Sequence, residues 1–107
     1  MFEIELCDEV VDWLDTLNSD DHARAVFVID RLAALGSLAR MPLSRSLGGG
    51  LFELRFSLGS TSRRITYRFT KHKTVVLLTT FAKQRMREPH EIARARKIAV
   101  QDALLHP

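Results

Sequence analysis

One cysteine, Cys7, is all this chain has, so no internal disulfide can form and a disulfide-stapled scaffold is excluded. Set in an apolar-alternating stretch, Cys7 reads as a buried thiol rather than a nucleophile. No apolar run approaches the roughly 20 residues of a membrane span. The first residues lack the basic-then-apolar pattern of a secretory signal, so a cytoplasmic protein with no membrane contact is expected. No Cys/His cluster has metal-ligand spacing, no glycine-rich loop leads into a helix, and no serine nucleophile motif occurs. Neither a metal nor another cofactor is therefore expected. Aromatic residues are only 7% of the chain. Trp13 and Phe27 read as the core of a helical hairpin, and the strand aromatics fall on inward positions, which leaves no obvious platform for stacking bases.

Charge is plentiful but unevenly placed. Residues 1–39 carry nine acids and two bases (−7), whereas residues 40–107 carry four acids and fourteen bases (+10), for a net charge of +3. Such a split suggests a basic surface meeting a polyanion or an acidic partner, with the acidic half turned elsewhere. The 107 residues and a hydrophobic fraction of 46% suit one domain, 1–107, with its own core.

Phe2, Ile4 and Leu6 alternate with Glu3 and Glu5 and predict a half-buried strand. Val10, Trp13, Leu14 and Leu17 share a face of a short helix over Glu9–Leu17. After the cap-and-turn residues Asn18-Ser19-Asp20, a second helix is predicted from Asp21 to Leu35, closed by Gly36. Ser37 to Gly50 reads as a loop, with Pro42 and the glycines 48–50. Three strands follow, turned at Gly59–Ser62 and at Lys71-His72-Lys73. The last, Val75 to Phe81, is apolar on successive residues and is expected at the centre of the sheet, covered on both faces. Pro89 suits the first turn of a final helix running to about Leu104. The expected order is β-α-α-β-β-β-α. This is an α+β domain whose N-terminal strand and helical hairpin pack on a small, mainly antiparallel sheet, with a C-terminal helix.

The strands carry the chemistry. Phe52, Leu54 and Phe56 alternate with Glu53 and Arg55; Ile65, Tyr67 and Phe69 alternate with Arg64, Thr66 and Arg68. With the apolar sets on the core, Arg55, Arg64 and Arg68 are expected to converge on an open sheet face, where guanidinium groups suit phosphate. Glu53 shares that face, and a salt bridge to Arg55 is its expected role. An outward-facing Arg64 should cost well under about 1 kcal/mol of stability to remove. Lys83, Arg85 and Arg87 follow the central strand, beside His90 at the start of the last helix.

On Glu53-Leu54-Arg55, Arg64-Ile65-Thr66-Tyr67, Leu77-Leu78 leading to Phe81-x-Lys83, and Pro89 with Glu91-Ile92 and Ala95-Arg96, the chain resembles the phage-derived, HigB-like branch of the RelE superfamily of bacterial toxins. It departs from that pattern at Arg63, where an aromatic is common, and at Gln84, where a second lysine is common. The resemblance implies a RelE-like fold and a ribosome-dependent mRNA endonuclease that leaves a 2′,3′-cyclic phosphate. It implies Arg55, Arg64 and Lys83 as catalytic residues; the basic sheet face and the loop after the last strand make Arg68, Arg85, Arg87 and His90 the expected RNA contacts. It also implies a cognate antitoxin, commonly a helix-turn-helix, HigA-like protein, through which alone the complex would reach operator DNA. Two alternatives stand beside it: a non-enzymatic antitoxin-binding or co-repressor module, and a ParE-like gyrase poison, against which the basic strand residues argue. Basic residues without a stacking platform imply weak, salt-sensitive binding of free RNA, with the ribosome needed for efficient cleavage.

Overall fold

The elements are β1 (Glu3–Leu6), α1 (Asp8–Asp15), α2 (Ser19–Leu35), β2 (Ser44–Gly48), β3 (Leu51–Leu58), β4 (Thr61–Phe69), β5 (Thr74–Ala82) and α3 (Glu88–Leu105), with a short 3-10 turn at Gly36–Leu38. The structure, a computed structural model, describes residues 1–107. The strands form one sheet in the order β1-β5-β4-β3-β2. β1 runs parallel to β5, and the other neighbours are antiparallel. The α+β architecture agrees with the sequence pattern, and β5 is an interior strand covered on both faces, but it lies between β1 and β4 and the middle strand is β4.

Local chemistry fixes the helix ends. The Asn18 side chain accepts from the Asp21 backbone N–H at 2.9 Å and caps α2. Gly36 closes α2 with φ +53°, and a Cβ there would lie 2.1 Å from the Phe2 ring, so both backbone and space demand glycine. The Phe2 N–H in turn donates to the Ala33 carbonyl at 2.9 Å and ties the chain start to α2.

The sheet separates two apolar layers. On one face Val10, Leu14, Val28, Ile29 and Leu32 of the helical hairpin pack on Leu54, Phe56, Ile65, Tyr67, Val75 and Leu77. Tyr67 lies at the centre, 1% exposed, stacked on Phe52 and bonded to Ser44. On the other face a smaller cluster joins Ala95 of α3 to Leu51, Val76 and Leu78. Arg96 of α3 donates to the carbonyls of Leu47 (2.5 Å) and Gly48 (3.0 Å), which pins the glycine turn between β2 and β3 beneath the helix.

Two expectations are corrected. The Ser37–Gly50 segment is not all loop, because β2 pairs antiparallel with β3 along Ser44–Leu54, Arg45–Glu53 and Ser46–Phe52. Its Ser-Arg-Ser-Leu-Gly sequence carries little strand signal, and the ladder with β3 supplies its order. Phe27 is not hairpin core but 55% exposed. The buried stripe of α2 is Ala25, Val28, Ile29, Leu32 and Ala33, and position 27 falls outside it. Trp13 is half-buried at the edge of the main core, as expected of a core residue.

Candidate active site

Strand register builds the site. Arg55 of β3 stands directly opposite Arg64 of β4, and Glu53 opposite Thr66. Arg64 is also opposite Phe81 of β5. Two like charges in register repel. Glu53, fully buried, offsets that repulsion from within the same face. Its Oε1 lies 3.9 Å from Arg55 Nε, 3.8 Å from Arg64 Nε and 3.8 Å from Nη1 of Arg45 on β2. The expected Glu53–Arg55 pairing is therefore present, within a wider cluster of three arginines around one carboxylate.

These separations are ionic contacts and too long for hydrogen bonds. Both carboxylate oxygens of Glu53, and Nε of Arg55 and Arg64, are buried without a hydrogen-bond partner. Only the arginine N–H groups can engage an incoming anion's oxygens; the Glu53 carboxylate, an acceptor of like charge, cannot, and its part is to hold the arginines together. Burial pushes the Arg64 guanidinium down from its ordinary value, and the facing Arg55 pushes it further, while Glu53 and Glu88 pull it back up.

Lys83 extends the same row. Its backbone N–H donates to the Ser62 carbonyl at 2.8 Å, continuing the β4–β5 ladder past the Arg63–Ala82 pair. Being two residues on from Phe81, it shares the face of Arg64. Lys83, Arg85 and Arg87 are exposed on the connection from β5 to α3, and His90 is exposed on the first turn of α3.

The single open face expected for Arg55, Arg64 and Arg68 is corrected. α3 lies across the far part of it, and Arg68 is taken up there, donating to Asp102 Oδ2 at 2.6 Å and to the His106 carbonyl at 3.0 Å. Arg64 is itself only 5% exposed, so it is a wall of the site rather than an outward surface residue. Arg63 points to the opposite face, where it donates to Thr80 Oγ1 at 2.8 Å and stacks 4.6 Å above the Trp13 ring.

Sequence reading misses Arg45, because the Ser-Arg-Ser-Leu-Gly segment carries little strand signal and its register opposite Glu53 is set only by the β2–β3 ladder. It also misses two cavities that flank the cluster. One, about 370 Å³, is lined by Arg55, Arg64, Ser57, Ser62 and Arg24 of α2 among others. The next, about 280 Å³, shares Arg24 and Arg55 and adds Arg31 and Arg40. No group of three or more His, Cys, Asp and Glu side chains gathers anywhere in the chain. No helix is long and apolar enough to cross a membrane.

This arrangement of a helical hairpin and a terminal helix on a five-stranded sheet is the fold of RelE toxins. The structure is similar to a chain of the intact E. coli RelBE toxin–antitoxin complex, with TM-score 0.59 and 12% identity over 79% of this chain and 100% of that one. It is equally similar (TM-score 0.59) to a double arginine-to-alanine mutant of E. coli RelE in the free state, at 15% identity over 94% and 96% of the two chains. The Mycobacterium tuberculosis RelBE2 toxin–antitoxin complex gives TM-score 0.52 and 23% identity over 77% of this chain and 98% of that one. Residues 12–99 match the family described as Phage derived protein Gp49-like, and the chain belongs to that family. No functionally curated protein matches it.

Proposed function

We propose that this chain is the toxin of a toxin–antitoxin pair and an endoribonuclease that cleaves mRNA on the ribosome. The observation that carries this reading is the facing pair Arg55 and Arg64, gathered around Glu53, with Lys83 on the same row. In the reaction the ribose 2′-oxygen loses its proton and bonds to the adjacent phosphorus. The P–O5′ bond breaks, O5′ takes up a proton, and a 2′,3′-cyclic phosphate remains. Charge builds on the phosphoryl oxygens during that step. Arg55 and Arg64 would hold those oxygens, and Lys83 would meet the charge from the sheet end. The preset walls reduce reorganisation when the charge develops. Arg85 and Arg87, exposed beside the row, would contact the flanking backbone, with His90 at the rim. Arg68, engaged with Asp102, has no part in this reading.

The partner proposed is a cognate antitoxin, HigA-like and helix-turn-helix in type, with operator DNA bound through it. The RelE-fold relatives described as toxin–antitoxin complexes support an antitoxin partner.

Inducing the chain in bacteria and mapping mRNA 5′ ends tests the reading. New ends at ribosome-occupied codons, absent for Arg64→Ala, are expected. The burial of Glu53 and Arg64 favours a second reading, in which the cluster is a structural ion network and the chain an antitoxin-binding module without activity. Unchanged mRNA ends during induction of the folded parent would decide for that alternative.

A further inference from the structure

α2 belongs to the acidic half of the chain, yet its only two bases, Arg24 and Arg31, face one groove. Arg24, Val28, Arg31 and Leu35 follow one another at helical spacing along that groove. The two arginines are therefore about 10 Å apart along the helix axis. Across from them stand Arg40, with Nη1 held by the Ser37 carbonyl at 2.8 Å, and Arg55, with Nη1 against Met41 Sδ at 2.8 Å. The neighbouring cavity continues from Arg24 and Arg55 to Arg64, and no Asp or Glu lines either one. Phe27 lies between Arg24 and Arg31 on the helix surface, 55% exposed, with the Arg24 guanidinium 5.8 Å from its ring centroid.

We propose that this groove is a track for a single RNA strand, with backbone phosphates on Arg24, Arg31 and Arg40 and one base stacked on Phe27, leading into the Arg55–Arg64 site. The proposal rests on the nuclease reading, because continuity with that site is what favours RNA over an acidic protein. Arginines without acids supply affinity for a polyanion of any sequence. An exposed aromatic flanked by arginines supplies a face for a base.

The test uses the full chain and a labelled oligoribonucleotide of about a dozen nucleotides, a length in the range such grooves hold. Its 2′-O-methyl riboses block cleavage. Affinity is measured against salt. The double variant Arg24→Gln/Arg31→Gln should flatten the slope of log K against log salt by about 1.4, at about 0.7 per lost phosphate contact. Arg24→Lys/Arg31→Lys should keep the parent slope. Phe27→Ala should weaken binding roughly tenfold with the slope unchanged. Circular dichroism on each variant checks that α2 is retained. A parent-like slope in the folded Gln variant overturns the proposal. So does loss of antitoxin binding with RNA binding intact, which would make the groove a protein-docking surface. Neither result touches the nuclease reading, which falls only if the parent cleaves no mRNA.

Discussion

Arg94 of α3 closes on Glu9 of α1 through two hydrogen bonds, Nη1 to Oε1 at 2.5 Å and Nη2 to Oε2 at 2.9 Å. Glu9 Oε2 also accepts from the Thr80 backbone N–H of β5 at 2.8 Å, and Arg94 Nε donates to Glu91 at 3.0 Å. One carboxylate thus ties the first helix, strand β5 and the last helix together. The Glu9 hydrogen bond raises the Arg94 guanidinium above its ordinary value. Burial works to raise the Glu9 carboxyl, but the Arg94 and Thr80 hydrogen bonds outweigh it and hold the group below its ordinary value.

Glu9 therefore stabilises the fold in one pH direction. Its contribution is complete above the ordinary value of about 4.5 and drains away as pH falls through the depressed folded value. The Glu9 side chain is 36% exposed, so solvent screens part of the effect. Glu9→Gln should cost roughly 1 kcal/mol at neutral pH. It should also flatten the acid limb of the stability profile. Urea unfolding at a series of pH values measures both, and a parent-like acid limb would count against this role.

Glu53 is the sole anion among Arg45, Arg55 and Arg64 within ion-pair range. Its replacement leaves two arginines in register with nothing between them. Glu53→Ala should lower stability by about 3 kcal/mol, the scale for removing one partner of a buried ion pair. Adding Arg64→Met to the same chain should recover much of the loss, since the uncompensated charge then leaves the interior. Additive losses in this double-mutant cycle would show that the cluster is not coupled.

Arg64→Ala carries two expected effects, and they must be read separately. The residue is 5% exposed, so the well under about 1 kcal/mol expected of an outward strand position is replaced by roughly 1–3 kcal/mol. Loss of a transition-state donor in a shielded site should lower cleavage by roughly 10²–10³-fold. Arg64→Lys keeps the charge but not the planar fork, and should restore stability more than rate. Thermal unfolding and cleavage on programmed ribosomes, run on the same preparations, separate the two. Full cleavage by folded Arg64→Ala would remove Arg64 from the site.

Much of this was legible along the chain. Strand alternation placed Glu53, Arg55 and Arg64 on one face, and the successive apolar residues of β5 marked it as an interior strand covered on both faces, though the middle strand is β4. What stayed hidden depends on register and on coverage. Arg45 joins the cluster only through the β2–β3 pairing, which a Ser-Arg-Ser edge strand does not announce. Arg68 obeys the same alternation as Arg64, yet α3 covers it and Asp102 neutralises it, and no local pattern reports which part of a face a distant helix will occupy. Arg24 and Arg31 are counted with the acids of residues 1–39, but net charge over a segment says nothing about which helix stripe holds the minority sign.

The proposed antitoxin should associate quickly and in a salt-dependent way. Lys83, Arg85 and Arg87 are all exposed on one short connection, with Arg87 beginning α3. An acidic segment approaching this loop is steered by charges that are already free of internal partners, unlike Arg68 and Arg94, which are held by Asp102 and Glu9. Exposed charges act mainly on the association rate, which should fall tenfold or more between low and physiological ionic strength, while dissociation changes little. Reversing Arg85 and Arg87 to Glu should abolish that salt dependence and slow association without unfolding the chain, because both side chains lie in water. Stopped-flow mixing with the product of a neighbouring gene provides the measurement. Association that is slow and indifferent to salt would place the antitoxin contact elsewhere, and failure of every co-expressed neighbour to relieve growth arrest would end the pairing itself.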